Sequence, residues 1–198
     1  MLDPPFIWLI LGKRGKGKTT LAHKIIRKIK AHFDIVIVFD SLLEYKLDDF
    51  ETIYGIKELQ NYVSENKGKK SRIYLIYRPH YEDGLALDEE FETISNFIWR
   101  IENQKTLFVV DEIDRFASTW SVVPEFSKLI EFGRHKNISL IGISRRLPRV
   151  NRNFSANADK LFLFQLHNKA DLKELEFLGV DSDAVKNLAD FKFLELDI

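Results

Sequence analysis

Cysteine is missing from the 198 residues of this chain, which leaves neither disulfides nor thiolate metal sites to build with. A reducing compartment and a hot environment both suit that composition. No apolar run approaches the roughly 18 residues that a membrane-spanning helix requires. The basic-then-apolar layout of a secretion signal is likewise absent from the first residues. The expectation is a soluble, cytoplasmic protein without a membrane span. Charge of one sign is not in excess either, since 30 Lys and Arg balance 30 Asp and Glu. That balance argues against a chain that coats nucleic acid over its whole surface, while leaving room for local basic patches. His23, His32, His80, His135 and His167 are scattered without metal-ligand spacing and read as surface or core residues. With 45% hydrophobic residues and no repeat, linker or low-complexity stretch, residues 1–198 are expected to form a single domain around a real core.

What is present is concentrated near the start. Phe6 to Leu11 is a short apolar run, and it leads through Gly12-Lys13-Arg14-Gly15-Lys16-Gly17-Lys18-Thr19-Thr20 into a helical pattern. Gly12 and Gly17, with Lys18 and Thr19, match the spacing of a phosphate-binding loop. Glycines permit backbone conformations that a Cβ forbids, so consecutive N–H groups can turn inward around a phosphate at the positive end of the next helix. In such a loop the Lys18 ammonium reaches the β- and γ-phosphates and the Thr19 hydroxyl ligates Mg²⁺. ATP and Mg²⁺ are the expected ligands, cradled by residues 12 to 20. A lysine-rich turn matching by chance would not need an apolar strand before it and a helix after it.

After the loop, Leu21, Ile25, Ile26, Ile29 and Phe33 recur at helical spacing, with Lys24, Arg27, Lys28 and Lys30 opposite. Asp34 to Phe39 reads as a strand covered on both faces. Ser41 to Gly55 is irregular and acidic and reads as mostly loop. A short helix around Ile56, Leu59 and Val63 is expected to close at Lys67-Gly68. Arg72 to Tyr77 forms a third strand, followed by a polar loop through Pro79, His80 and Gly84. Asp88 is the expected N-cap of a helix whose buried stripe is Phe91, Ile94, Phe97, Ile98 and Ile101. Pro124 suits the first turn of a helix ending at Gly133. Strands are expected at Ile138 to Ser144, Lys160 to Leu166 and Phe191 to Asp197, with helices near Asp171 to Leu178 and Ser182 to Leu188.

The run Thr106 to Val110 ends in Asp111-Glu112. Alone, an apolar strand followed by two acids is as readily a solvated turn. Beside a phosphate-binding loop it becomes the second half of a nucleotide site, with Asp111 holding the Mg²⁺ shell and Glu112 polarising the water that attacks the γ-phosphate. A water-activating acid at that position favours an ATP hydrolase of the additional-strand, RecA-like class over a small-molecule kinase. The expected fold is α/β, a mainly parallel central sheet flanked by helices. Polar residues at the end of the strand neighbouring Asp111, Ser144 and Arg145 first, would lie beside the γ-phosphate, because open α/β sheets bind ligands at the carboxyl ends of their strands. Phe116 and Trp120 read as packing under a loop in preference to touching DNA.

A third block extends the pattern: Gly133-Arg134-His135-Lys136-Asn137, then Ile138 to Arg146, Val150, Ala156 to Asp159, Phe162 to Leu166, Asn168 and Asp171-Leu172. With the two phosphate-site motifs, it resembles the FtsK–HerA superfamily of DNA-pumping P-loop ATPases over nearly the whole chain. The family's sensor glutamine falls on Arg145 here, and its proline arrives one residue late, as Pro148. The compact layout, without the extra domains of cellular translocases, looks like the genome-packaging ATPases of membrane-containing icosahedral viruses. The resemblance implies a homo-oligomeric ring, commonly a hexamer, that pumps double-stranded DNA, with viral capsid or membrane-vertex proteins as further partners and a location in the host cytoplasm or on the virion. It also implies an arginine donated across each subunit interface, with Arg134 the first candidate and Arg145, Arg146 and Arg149 as alternatives. Arg146, Arg149 and Arg152 are equally readable as facing DNA phosphates or as solvated surface. A nucleotide or metabolite kinase is the alternative of this size, and a nucleotide-gated assembly factor a third; no Leu-Ser-Gly-Gly-Gln-like segment supports an ABC-type subunit.

Overall fold

The computed structural model describes residues 5–66, 72–80 and 86–198. Runs of β-branched and apolar residues with no polar alternation need cover on both faces. Here they form the middle of an eight-stranded sheet: β1 (Ile7–Leu11), β2 (Ile35–Phe39), β3 (Glu51–Tyr54), β4 (Ile73–Arg78), β5 (Thr106–Val110), β6 (Ile138–Ser144), β7 (Lys160–Phe164) and β8 (Phe193–Asp197). β2, β5 and β6 are buried along their whole length. The order across the sheet is β3-β4-β2-β5-β6-β1-β7-β8. All neighbours run parallel except β7 and β8. β6 stands between the strand before the loop and the strand before Asp111, with Leu140 opposite both Ile7 and Phe108. That inserted strand is the mark of the additional-strand α/β P-loop fold, as the acid pair led us to expect.

Helices cover both faces: α1 (Lys18–Ile29), α2 (Gly55–Asn66), α3 (Leu87–Trp99), α4 (Pro124–Phe132), α5 (Arg152–Ala156), α6 (Lys169–Phe177) and α7 (Ser182–Lys186). α1 buries Leu21, Ile25, Ile26 and Ile29 in one apolar cluster, while α3 and α4 bury Phe91, Ile94, Ile98, Phe126 and Leu129 in the other. Phe91 is the hinge of the second cluster. Its ring stacks on Phe116 at 4.0 Å between centroids and meets Phe39 and Phe126 edge-on at 5.0 Å each. Because Phe116 follows Asp111 by one short 3₁₀ turn, this aromatic group holds the acid-bearing loop from beneath.

Several expectations shift. Residues 51–54 form an edge strand inside the stretch read as loop, where Ile53 alone is buried. α2 turns Tyr62 rather than Val63 toward the core, and Val63 is exposed. The expected closure at Lys67-Gly68 and the loop residue Gly84 fall outside the described residues. Asp88 lies within the first turn of α3; the helix is capped at Ala86, whose N–H donates to Glu89 Oε2 at 3.1 Å. The last strand begins at Phe193, because Phe191 takes a left-handed φ of 62° in the turn before it. Trp120 is 94% exposed, which overturns its reading as a packed residue, whereas Phe116 is buried as expected.

β8 closes the sheet as an antiparallel edge on which Glu195 and Asp197 pair with Lys160 of β7. Removing the keystone of the aromatic group should be costly. Phe91→Ala should destabilise the protein by about 3–5 kcal/mol, read as a lowered urea midpoint with an unchanged slope.

Candidate active site

The loop between β1 and α1 is shaped by its glycines. A Cβ on Gly12 would lie 2.5 Å from the Cβ of Phe164, so this position admits glycine alone where the end of β1 passes β7. Gly17, with φ 102°, turns the chain into α1. The Gly12 N–H donates to the Ser144 carbonyl at 3.3 Å, which ties the loop to the end of β6. Lys13 and Arg14 are exposed, and the Lys13 carbonyl accepts from Lys18 Nζ at 3.2 Å. Lys16 reaches across to pair with Asp190.

A cleft of about 680 Å³ opens above this loop, a size that suits a small-molecule ligand. Gly15, Lys18, Thr19 and Thr20 line it from the loop, and Asp111, Glu112, Ser144 and Arg145 from the ends of β5 and β6. Two motifs about ninety residues apart in sequence thus face one space. Burial lowers the Lys18 ammonium below the usual lysine range, and the nearby Asp111 and Glu112 carboxylates work against that shift.

Asp111 is the least comfortable group in the site. One carboxylate oxygen accepts from the Glu112 N–H at 2.8 Å; the other is buried without a hydrogen-bond partner. Burial pushes its carboxyl up to about 6 despite the Glu112 N–H and the Lys18 charge. An orphaned oxygen facing the phosphate loop is what a metal-binding carboxylate looks like without its cation. Among the described residues no cluster of three acids or histidines forms a metal cage. Asp111 and the Thr19 hydroxyl therefore fit Mg²⁺, which takes few protein ligands and completes its shell with water and phosphate.

Glu112 takes a left-handed φ of 51°, which turns its side chain away from the strand direction, and its carboxylate pairs with Arg145. Arg145, where the sequence resemblance would put a glutamine, thus holds the carboxylate expected to act as base. The Ser144 hydroxyl is buried; it donates to Asp114 Oδ1 at 2.8 Å and accepts from the Arg146 N–H at 3.2 Å. Arg146 in turn reaches Asp171 and Asn168, which anchors the turn after β6. Arg134 lies elsewhere. It precedes β6, at the opposite end of the sheet from the cleft, and pairs with Asp159 at 2.8 Å.

Sequence reasoning gave no role to three residues after β2, Asp40, Glu44 and Tyr45. Asp40, fully buried, accepts from the Glu44 and Tyr45 N–H groups at 2.9 and 3.1 Å and from Arg78 Nε at 3.1 Å. That clamp brings Glu44 to Thr19, whose hydroxyl donates to it at 3.3 Å. It also buries Tyr45 beside His23, with ring centroids 4.7 Å apart. Burial and the charges of Asp111, Asp40 and Glu44 hold the Tyr45 phenol well above its ordinary value. The single signal in the sequence was an acid directly after a buried strand.

The raised Asp111 carboxyl has a definite sign. Between its ordinary value of 3.8 and about 6 the folded protein keeps a proton that the unfolded chain has shed. The burial penalty therefore grows as pH rises through that window and is complete above it. Asp111→Asn should stabilise the metal-free protein by up to about 3 kcal/mol at pH 8, with the gain shrinking toward pH 4 in urea titrations. A gain that stays constant with pH would assign it to something other than the charge.

Comparison with known proteins places this geometry. The structure matches the genome packaging NTPase B204 from Sulfolobus turreted icosahedral virus 2 in complex with ATP-gammaS at a TM-score of 0.72 and 22% identity, over 99% of this chain and 93% of that one. The AMP complex of the same protein gives 0.73 and 22%, over 99% and 94%. VirB4 of Thermoanaerobacter pseudethanolicus gives 0.62 and 16%, over 97% and 89%. At these identities the likeness speaks for the fold. No curated protein matches the chain. The profile of the ATPase family associated with various cellular activities (AAA) matches residues 8–166, a span that includes the phosphate loop, Asp111-Glu112 and β6. The chain belongs to this family and is a P-loop ATPase.

Proposed function

We propose that this ATPase is the motor of a viral genome-packaging machine, a homo-oligomeric ring, hexameric by family analogy, that drives double-stranded DNA into a capsid. The observation that carries the reading is a wall shared by two hollows. Glu112 and Arg145 line both the nucleotide cleft and an adjoining hollow of about 470 Å³, whose rim carries Trp120, Arg115 and Arg149. An exposed tryptophan flanked by arginines suits a phosphate-rich polymer, through charge and through its ring. Anything that moves Arg145 from that side also alters the partner of Glu112. The likeness in fold to a protein described as a genome packaging NTPase supports the same reading. A small-molecule kinase has no need of a base that activates water, the role read here for Glu112.

In this reading the whole chain acts as one ATPase unit in the host cytoplasm. Lys13 to Thr20 bind the phosphates through backbone N–H groups, with Lys18 as counter-charge. Asp111 and Thr19 would hold Mg²⁺, which would supply positive charge against the phosphates. Glu112 accepts a proton from the attacking water once Arg145 turns from it to the γ-phosphate, and Ser144 fixes the turn that carries Arg145. Arg134 is the arginine offered to the neighbouring subunit's nucleotide, a contribution worth about 10³ to 10⁵ in rate in such enzymes. Its place at the far end of β6 suits a role across an interface rather than within its own cleft.

Double-stranded DNA should raise the ATPase rate, and that stimulation should fade steeply with salt as phosphate contacts release counterions. Trp120→Ala should blunt it. Indifference to DNA together with a monomeric mass would exclude the motor. Arg134→Ala and Lys18→Ala subunits should each be inactive alone, yet regain turnover when mixed, because one supplies an intact loop and the other an intact arginine. Failure of mixed rings to recover would place Arg134 outside the catalytic interface.

A further inference from the structure

The phosphate loop and the acid pair account for the triphosphate but leave the base of the nucleotide without a partner. Asp111, Glu112 and Arg145, the groups suited to the γ-phosphate, line the cleft from the ends of β5 and β6. Phe191 lines the same space, with its ring against Gly17 of the phosphate loop. A triphosphate with its γ end at Asp111 runs along the loop toward Thr20, so its ribose and base emerge on the Phe191 side.

Phe191 is unusual in three respects. It is 69% exposed, where half of the described aromatics are buried. Its φ of 62° lies in the left-handed region, which a bulky side chain rarely enters. Its ring also packs against the loop itself: a Cβ on Gly17 would meet the Phe191 ring at 3.3 Å. The turn that carries it is not loose. The Lys192 N–H donates to the Ala189 carbonyl at 3.1 Å, and Asp190 pairs with Lys16 of the phosphate loop. Below it, Phe193 and Phe164 hold the start of β8 against β7, with ring centroids 5.4 Å apart. The ring is thus held at the mouth of the cleft, with much of its surface open to solvent.

We infer that Phe191 is the stacking platform for the adenine of ATP, held in place by the Asp190–Lys16 pair that ties its turn to the phosphate loop. This rests on the reading of the cleft as the ATP site. An aromatic face against a base is worth about 1–3 kcal/mol by alanine substitution in other base-binding proteins, which corresponds to roughly 5- to 150-fold in affinity.

The test separates base from phosphates by calorimetric titration of the full chain with Mg²⁺-ATP and with Mg²⁺-tripolyphosphate, which has no base. Phe191→Ala should weaken ATP about tenfold or more and leave tripolyphosphate unchanged, with an unaltered urea midpoint. Phe191→Trp should keep ATP affinity and show added indole quenching, relative to the parent protein, with ATP but not with tripolyphosphate. Equal ATP affinity in Phe191→Ala and the parent would overturn the assignment. So would a parallel loss of both ligands, which would make the ring merely a support for Gly17. If the parent protein itself bound neither ligand, the ATP reading of the cleft would fall first, and the base platform with it.

Discussion

A carboxylate held out of water without a partner for one of its oxygens is the constraint around which this protein is organised. Asp111 sits at the end of a strand buried along its full length, and moving it toward solvent would mean unpicking β5 from β2 and β6. The surrounding structure keeps it in place instead. The aromatic group under Phe116 fixes the loop from below, the Glu112 N–H satisfies one oxygen, and the buried Tyr45 phenol lies near enough to feel the Asp111 charge. The arrangement costs the folded chain stability, a common pattern where a site is built for a charge it does not itself contain.

The second organising device is Asp40. A buried carboxylate that accepts two backbone N–H bonds and an Arg78 guanidinium has partners on both oxygens, so its role is architectural. It sets the loop after β2 in a shape that delivers Glu44 to Thr19. Three strand ends, those of β2, β5 and β6, thereby converge on a loop that follows a fourth. This arrangement is available only because the inserted β6 separates β1 from β5 and opens room between them for a ligand.

Much of this was legible because it is encoded locally. Gly12, Gly17, Lys18 and Thr19 act through backbone geometry within one turn, and Asp111-Glu112 ends a strand whose apolar run is unmistakable. What escaped depends on partners distant in sequence. β3 is an edge strand with Ile53 as its one buried residue, too little alternation to register. The α3 cap at Ala86 comes from the Glu89 side chain, so the capping residue itself carries no signal. Trp120 reads as buried on composition, yet its exposure follows from a tight turn, with Ser118 N–H bonded to the Ser121 carbonyl at 2.8 Å, that points its side chain outward. The Glu112–Arg145 pair joins residues that the sheet order brings together, and no spacing rule anticipates it.

The far edge of the sheet carries a different kind of information. β8 offers the outermost row of backbone groups, and such a row invites another chain to add itself. Along it, Glu195 and Asp197 alternate with Leu194 and Leu196, so the acidic side chains share one face. A second copy aligned antiparallel on that edge would bring carboxylates against carboxylates, which is unfavourable for strand pairs. Continuation of the sheet past β8 by a second copy is thus discouraged by charge, and that edge is kept from growing a longer ladder of backbone bonds.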